Sequence, residues 1–440
     1  MKATFCPFTT HYSPLTFIQM TLHTAVIERV KAFVDEQFSQ ETQFLAELVR
    51  VPSDNPPGDC DPHARRACEL LTGLGFDVEV LPVPAEVTQA NGMITATNLI
   101  VRQRFGPGGR TIAMNAHGDV VPPGRGWTRD PYGGEIVDDA VHGPVMYGRG
   151  VAVSKSDFAT YTWAMLALDE LAANGVKLNG ALELHLTYDE EVGGTIGPAW
   201  LVAQRKTQAD LAISAGFSYK VTTAHNGCLH LEVTINGKSG HAAMPQTGID
   251  ALEAATDVLT ALYGYRSELA NRHSQVPGID TATLNVGLIS GGINTNVVPD
   301  RVTLRLDRRI IPEEDVAEAE AELRALIAAS VAGRNGISVD VRRVLLAQPL
   351  VQLPGATPLI EALQTYGAMM FETPIAVGGV PLYTDARHYS NAGIPTVLYG
   401  AGPRTLQEAN GHGADECLRL RDLQRATVVV ALTLADLLSC

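Results

Sequence analysis

The sequence predicts an α/β protein in which a mainly parallel sheet, covered by helices, carries an inserted ferredoxin-like βαββαβ unit. Strand and helix signals alternate from Gly75 to Ser214, the rhythm of a parallel sheet with helical crossovers. From about Cys228 the order changes to strand, helix, strand, strand, helix, strand, a compact split unit of its own. Length agrees, because 440 residues exceed what one hydrophobic core usually serves and so point to two domains.

In order along the chain, residues 1–19 are expected to form a disordered extension, with Met20 a candidate start. Apolar spacing from Thr24 to Val51 fits two amphipathic helical stretches, and Pro52 to Pro62 is a Pro/Asp/Gly loop. Strands follow at Gly75–Val80, Asn98–Val101, Thr111–Ala116, Ala181–Thr187 and Asp210–Ser214, with helices at Phe158–Asn174 and near Ala199–Arg205. Gly106-Pro107-Gly108-Gly109 resembles a hairpin turn. The inserted unit has strands at Leu229–Ile235, Ala282–Ile289, Val302–Arg309 and Ser338–Leu345, and helices at Ile249–Leu269 and Glu313–Ala332. The α/β pattern resumes with a helix at Pro358–Met370, a Gly378-Gly379 turn, a strand at Thr396–Tyr399 and a helix from about Asp422. The expected divisions are therefore 20–227 and 349–440 for one domain and 228–348 for the other.

A formal charge of -15, without a clustered Lys/Arg stretch, argues against nucleic acid or an anionic membrane as partner. A small-molecule substrate is the better default. Six cysteines are scattered without a CxxC pair, which points to a reducing cytoplasm rather than a disulfide framework. No apolar run reaches the roughly 18 residues needed to span a bilayer.

Chemistry concentrates at two strand ends. His117-Gly118-Asp119 follows the strand Thr111–Ala116, so an imidazole and a carboxylate emerge where open α/β sheets bind ligands. Asp189-Glu190-Glu191 follows Ala181–Thr187, and adjacent carboxylates there suit one holding a divalent ion while its neighbour takes a proton from water. His185 and His230, within strands, read as packing residues.

Five separated strings fall in one order: HGDVVP, YGRG at Tyr147–Gly150, DEEVGG, SGHAAMP at Ser239–Pro245, and GHGADE at Gly411–Glu416. The chain from about residue 25 onward thereby resembles the metallopeptidase superfamily of aminoacylase, acetylornithine deacetylase, succinyl-diaminopimelate desuccinylase and glutamate carboxypeptidases. That resemblance implies a two-zinc amidohydrolase with a lid domain that dimerises, acting on amides next to a free carboxylate. It implies His117, Glu191 and His412 as metal ligands, Asp119 as the partner fixing the His117 tautomer, and Glu190 as general base. His241 resembles the histidine that reaches a neighbouring subunit's site to stabilise an oxyanion. Asn296 resembles a lid residue touching substrate. Arg309 and Arg387 are candidates to hold its carboxylate, or to form ion pairs with Asp307 and Asp385. Gly400-Ala401-Gly402 offers backbone N–H groups to an anion.

Two positions depart from the pattern. The resemblance implies a metal-bridging carboxylate where this chain has Val153, and a further one just after Ser214, where it has Ala215. Catalytic zinc generally keeps three protein ligands plus water, so at most one zinc ion, or none, is expected. Asp157 and His225 are candidates to supply a missing ligand, and Lys155 a positive charge. The leading reading is an amidohydrolase acting on a small N-acyl amino acid or dipeptide-like substrate. The rivals are a metal-independent enzyme using Glu190, with Lys155 or a histidine, and a non-catalytic binding homologue.

Overall fold

A computed structural model describes residues 22–439; the extension expected at 1–19 lies outside them. The mainly parallel α/β architecture is present, with additional antiparallel sheets. The large sheet runs in the order Val78–Pro82, Thr97–Arg104, Gly180–Thr187, Arg110–His117, Leu211–Ser214, Thr396–Leu398, Lys220–His225, Ala376–Val380. Its centre is parallel: Arg110–His117 pairs in that sense with both Gly180–Thr187 and Leu211–Ser214, and the latter with Thr396–Leu398. His117, Thr187, Ser214 and Leu398 therefore finish at one edge, which opens the crevice where such sheets place ligands. Gly180–Thr187 is buried on both faces, as a central parallel strand should be. His185 within it is spent on packing, with Nδ1 2.8 Å from the Tyr389 hydroxyl and Nε2 3.2 Å from Glu183.

The second unit has the expected βαββαβ order: Gly227–Asn236, Ala251–Leu269, Thr283–Gly291, Arg301–Ile310, Val316–Ser330 and Ser338–Ala347. Its strands form one antiparallel sheet with Gly227–Asn236 between Arg301–Ile310 and Ser338–Ala347. Alternation sorts the faces. Leu229, Leu231, Val233 and Ile235, with Val302, Leu304 and Leu306, pack under the two helices in a core of their own. Cys228, His230 and Glu232 point the other way, as do Arg305, Asp307 and Arg309.

Several expectations need correction. Thr24–Val49 is one unbroken helix rather than two, because no Gly or Pro interrupts it and its apolar face packs throughout. The glycines at 106–109 do not turn a hairpin, since Gly180–Thr187 lies between the strands they join. Gly378 and Gly379 belong to the strand Ala376–Val380. There a Cβ would come within 2.4 Å of the Pro277 carbonyl oxygen or 2.6 Å of the Ile279 side chain, so close approach, not a turn, demands glycine. A third sheet was not anticipated. It sets Gly143–Tyr147 between Cys417–Arg419 and Glu135–Asp139, bringing the YGRG turn beside the GHGADE loop.

Candidate active site

His117 closes the strand Arg110–His117, and its Nδ1 lies 2.9 Å from the Asp119 backbone oxygen. A carbonyl oxygen accepts only, so Nδ1 keeps its proton and Nε2 is the nitrogen that would exchange its own for an ion. Asp119 is fully buried and organises the site. It accepts from the Asn55 amide at 2.9 Å and from the backbone N–H groups of Glu190 and Glu191, each at 3.3 Å, and Oδ1 is 3.5 Å from His117 Nδ1. The chain can pass here because residue 118 is glycine: a Cβ would meet the Tyr188 ring at 2.4 Å.

One ligand atom each of His117, Glu190 and Glu191 lies within 4.8 Å of the others, an arrangement that would suit a cation. His412 approaches from the far loop, its Nε2 3.7 Å from Glu191 Oε1. These groups line a cavity of ≈ 350 Å³ together with Asn115, Ser154, Asp157, Tyr383 and Asp385. Val153 and Ala215 also line it, so both apolar residues face the cavity.

The cavity is rich in carboxylates. Burial pushes Glu190 up from its ordinary value, and burial with the neighbouring Glu190 charge pushes Glu191 well up. Asp157 and Asp385 each rise to about 7, chiefly through burial. Burial by itself would lower His117, yet its hydrogen bond to Asp119 and the charges of Glu190, Asp119 and Glu191 hold it well above the usual imidazole range. Desolvated like charges of this kind attract a cation.

The remaining predicted residues are distributed unevenly. Arg309 lines the cavity and pairs through Nε and Nη2 with both oxygens of Asp307, at 3.0 and 3.2 Å. Arg387 is buried and does not line it; its guanidinium donates to the carbonyls of Thr384 and Gly193, fastening those two loops. His241 and Asn296 sit together on the second unit, exposed and outside this cavity, joined by the bridge between His241 and Val297. Lys155 points away, donating to the Leu48 and Val51 carbonyls. His225 is held by backbone groups of Asn226, Leu350 and Thr384. The N–H of Ala401 is taken by Asp157 at 2.9 Å, which removes it from the anion nest expected at Gly400-Ala401-Gly402. Sequence reasoning missed Asp385 and Tyr383 as wall residues. Their only signal was proximity to Arg387 in the chain.

The family model for peptidase family M20/M25/M40 matches residues 113–436, most of the chain. The chain belongs to this family. Its relatives include an acetylornithine deacetylase of Edwardsiella ictaluri, 29% identical over 84% of this chain and 91% of that protein. A succinyl-diaminopimelate desuccinylase of Methylobacterium radiotolerans is 26% identical over 88% of this chain and 94% of its own. In fold, the M20 chain is similar to the metallo-carboxypeptidase Sso-CP2 of Sulfolobus solfataricus, with a TM-score of 0.71 and 17% identity over 90% of this chain and 99% of that one. As an M20 member it is a hydrolase of C–N amide bonds, in a family whose enzymes are typically metal-dependent. No described helix is long and apolar enough to cross a membrane.

Proposed function

We propose that this chain hydrolyses the amide bond of a small N-acyl amino acid or dipeptide-like substrate bearing a free carboxylate, with at most one zinc ion. The observation that carries this reading is the lining of one cavity, in which His117, Glu190, Glu191 and His412 come together while Val153 and Ala215 offer no ligand atom. His117 and Glu191 lie within reach of one ion, and His412, its Nε2 3.7 Å from Glu191 Oε1, would move in as the third ligand and leave a fourth position for water. A second ion would need the carboxylates that Val153 and Ala215 replace, so the residues do not fit two. When bound, the ion would polarise the scissile carbonyl and lower the pKa of water.

The chain's own groups supply the rest. Glu190 takes a proton from the attacking water, its raised pKa bringing it closer to neutral pH where a base works best. The same proton then goes to the departing amine nitrogen. Arg309 stands as the cavity's cationic anchor for the substrate carboxylate. His241 and Asn296, exposed on the second unit, would enter the cavity of a second copy in a homodimer paired through 228–348, a reading supported by the family resemblance of the SGHAAMP string. With Lys155 turned into the packing, the metal-free alternative would rest on a histidine such as His117 instead of that lysine.

The test pairs metal content with turnover. Glu190→Gln should lower kcat by roughly 10²- to 10⁴-fold while melting as the parent does. Elemental mass spectrometry after zinc supplementation, on a Cys228→Ser background that removes the one thiolate on the open face of the four-stranded sheet, should find about one ion per chain, by the ligand count above. Two ions would overturn the single-ion reading, and no loss in Glu190→Gln would remove its role.

A further inference from the structure

On the open face of the four-stranded sheet, behind Arg309, three ligand-type side chains converge outside the cavity wall. Cys228 Sγ is 3.2 Å from His230 Nε2 and 3.8 Å from Asp307 Oδ1, and His230 Nε2 is 3.3 Å from Asp307 Oδ2. Strand register fixes this grouping. His230 pairs directly across from Asp307, and Cys228 across from Arg309, so all four project from one face.

We propose that Cys228, His230 and Asp307 form a second metal site, for a thiophilic divalent cation such as zinc, separate from the catalytic cluster. Bond lengths of about 2.3 Å to sulfur and about 2.0–2.2 Å to nitrogen and oxygen, at tetrahedral angles, set ligand atoms about 3.4–3.6 Å apart. Taking one ligand atom from each residue, the three lie within 4.8 Å of one another before any ion arrives, so small side-chain shifts bring them to that spacing. The set also mixes a thiolate with nitrogen and oxygen donors, which suits zinc over magnesium or calcium. Access is available, since the side chains of His230 and Asp307 are 36% and 31% exposed while Cys228 is buried behind them.

Arg309 does not block the site. A carboxylate has about four lone-pair positions, so Asp307 can keep the guanidinium and still offer one to an ion. Three protein ligands leave the fourth position for water.

Cobalt(II) titrated into the full-length protein tests the assignment, because thiolate ligation gives a near-ultraviolet sulfur-to-cobalt charge-transfer band that carboxylates and imidazoles do not. The band should form in the parent and persist in Glu191→Gln and His412→Ala. It should vanish in Cys228→Ser. His230→Ala, at a half-exposed position that folding tolerates, should weaken cobalt binding by more than the roughly 10- to 100-fold lost with an outer-sphere partner. No band in the parent, or a band retained in Cys228→Ser through another cysteine, overturns the site. Since Glu191→Gln leaves this readout intact, its failure is distinct from failure of the catalytic reading.

Discussion

His412 meets Glu191 across the cavity, its Nε2 3.7 Å from the carboxylate Oε1, and Arg149 in the YGRG turn holds the loop that makes this possible. Arg149 is buried with Glu416 at 2.7 Å, and its other nitrogen donates to the carbonyls of Pro123, His412 and Gly413. Glu416 in turn accepts from the Ala152 N–H at 3.0 Å. Two motifs distant in sequence are thereby one structural unit.

Arg149→Ala leaves a buried carboxylate without its partner, which costs roughly 3–5 kcal/mol. Urea unfolding should register that loss, and zinc affinity should fall with it because the His412 loop is released. A variant of unchanged stability would show that the pair is incidental.

Val153 and Ala215 line the cavity where the family resemblance implies carboxylates. The double substitution Val153→Asp with Ala215→Glu should add about one bound zinc ion per chain to the parent's content, because a bridging carboxylate both neutralises charge and spaces the cations. Elemental analysis of parent and variant decides it; an unchanged ratio means that other features of the wall exclude the second ion.

Arg309 is the cation that faces the cavity from the βαββαβ unit. Arg309→Ala should raise KM for a carboxylate-bearing substrate roughly ten- to hundredfold, as expected from losing a charge-assisted hydrogen bond of about 1.5–3 kcal/mol. The kcat should change less. An equal effect on the methyl ester of the same substrate would rule out carboxylate anchoring.

Burial raises Asp157 and Asp385 to about 7, whereas unfolded aspartate ionises near about 3.9. Between these values the unfolded chain binds fewer protons than the folded one. Stability contributed by the two protonated groups is therefore complete below the unfolded pKa and declines as pH rises toward about 7. Chelator-treated protein should melt at lower temperature at about pH 8 than at about pH 5, and added zinc should narrow the gap. A melting temperature that rises with pH over this window would contradict the account.

The legible part of the site was what sits at strand ends. His117, Asp119, Glu190 and Glu191 follow apolar runs, and a run of that kind dictates both a buried strand and the edge at which the next residues emerge. The βαββαβ order was legible for the same reason, since period and length distinguish its strands from its helices. Gly378 and Gly379 misled because glycine marks a turn and a close approach equally, and only the packed Pro277 and Ile279 show which.

What sequence alone determined was therefore the architecture, the family and the apolar identity of residues 153 and 215, all properties of residue type and order. Tertiary structure alone decided which side chains are free to act. Lys155 and Arg387 are cations spent on backbone carbonyls, Asp157 is bound to the Ala401 N–H, and Arg309 remains on the wall. It also decided that Cys228, His230 and Asp307 converge, since strand register joins segments whose separation in the chain carries no record of the contact. A side chain's charge is written in its residue type, but its partner is set by whichever buried polar group packing brings within hydrogen-bonding reach.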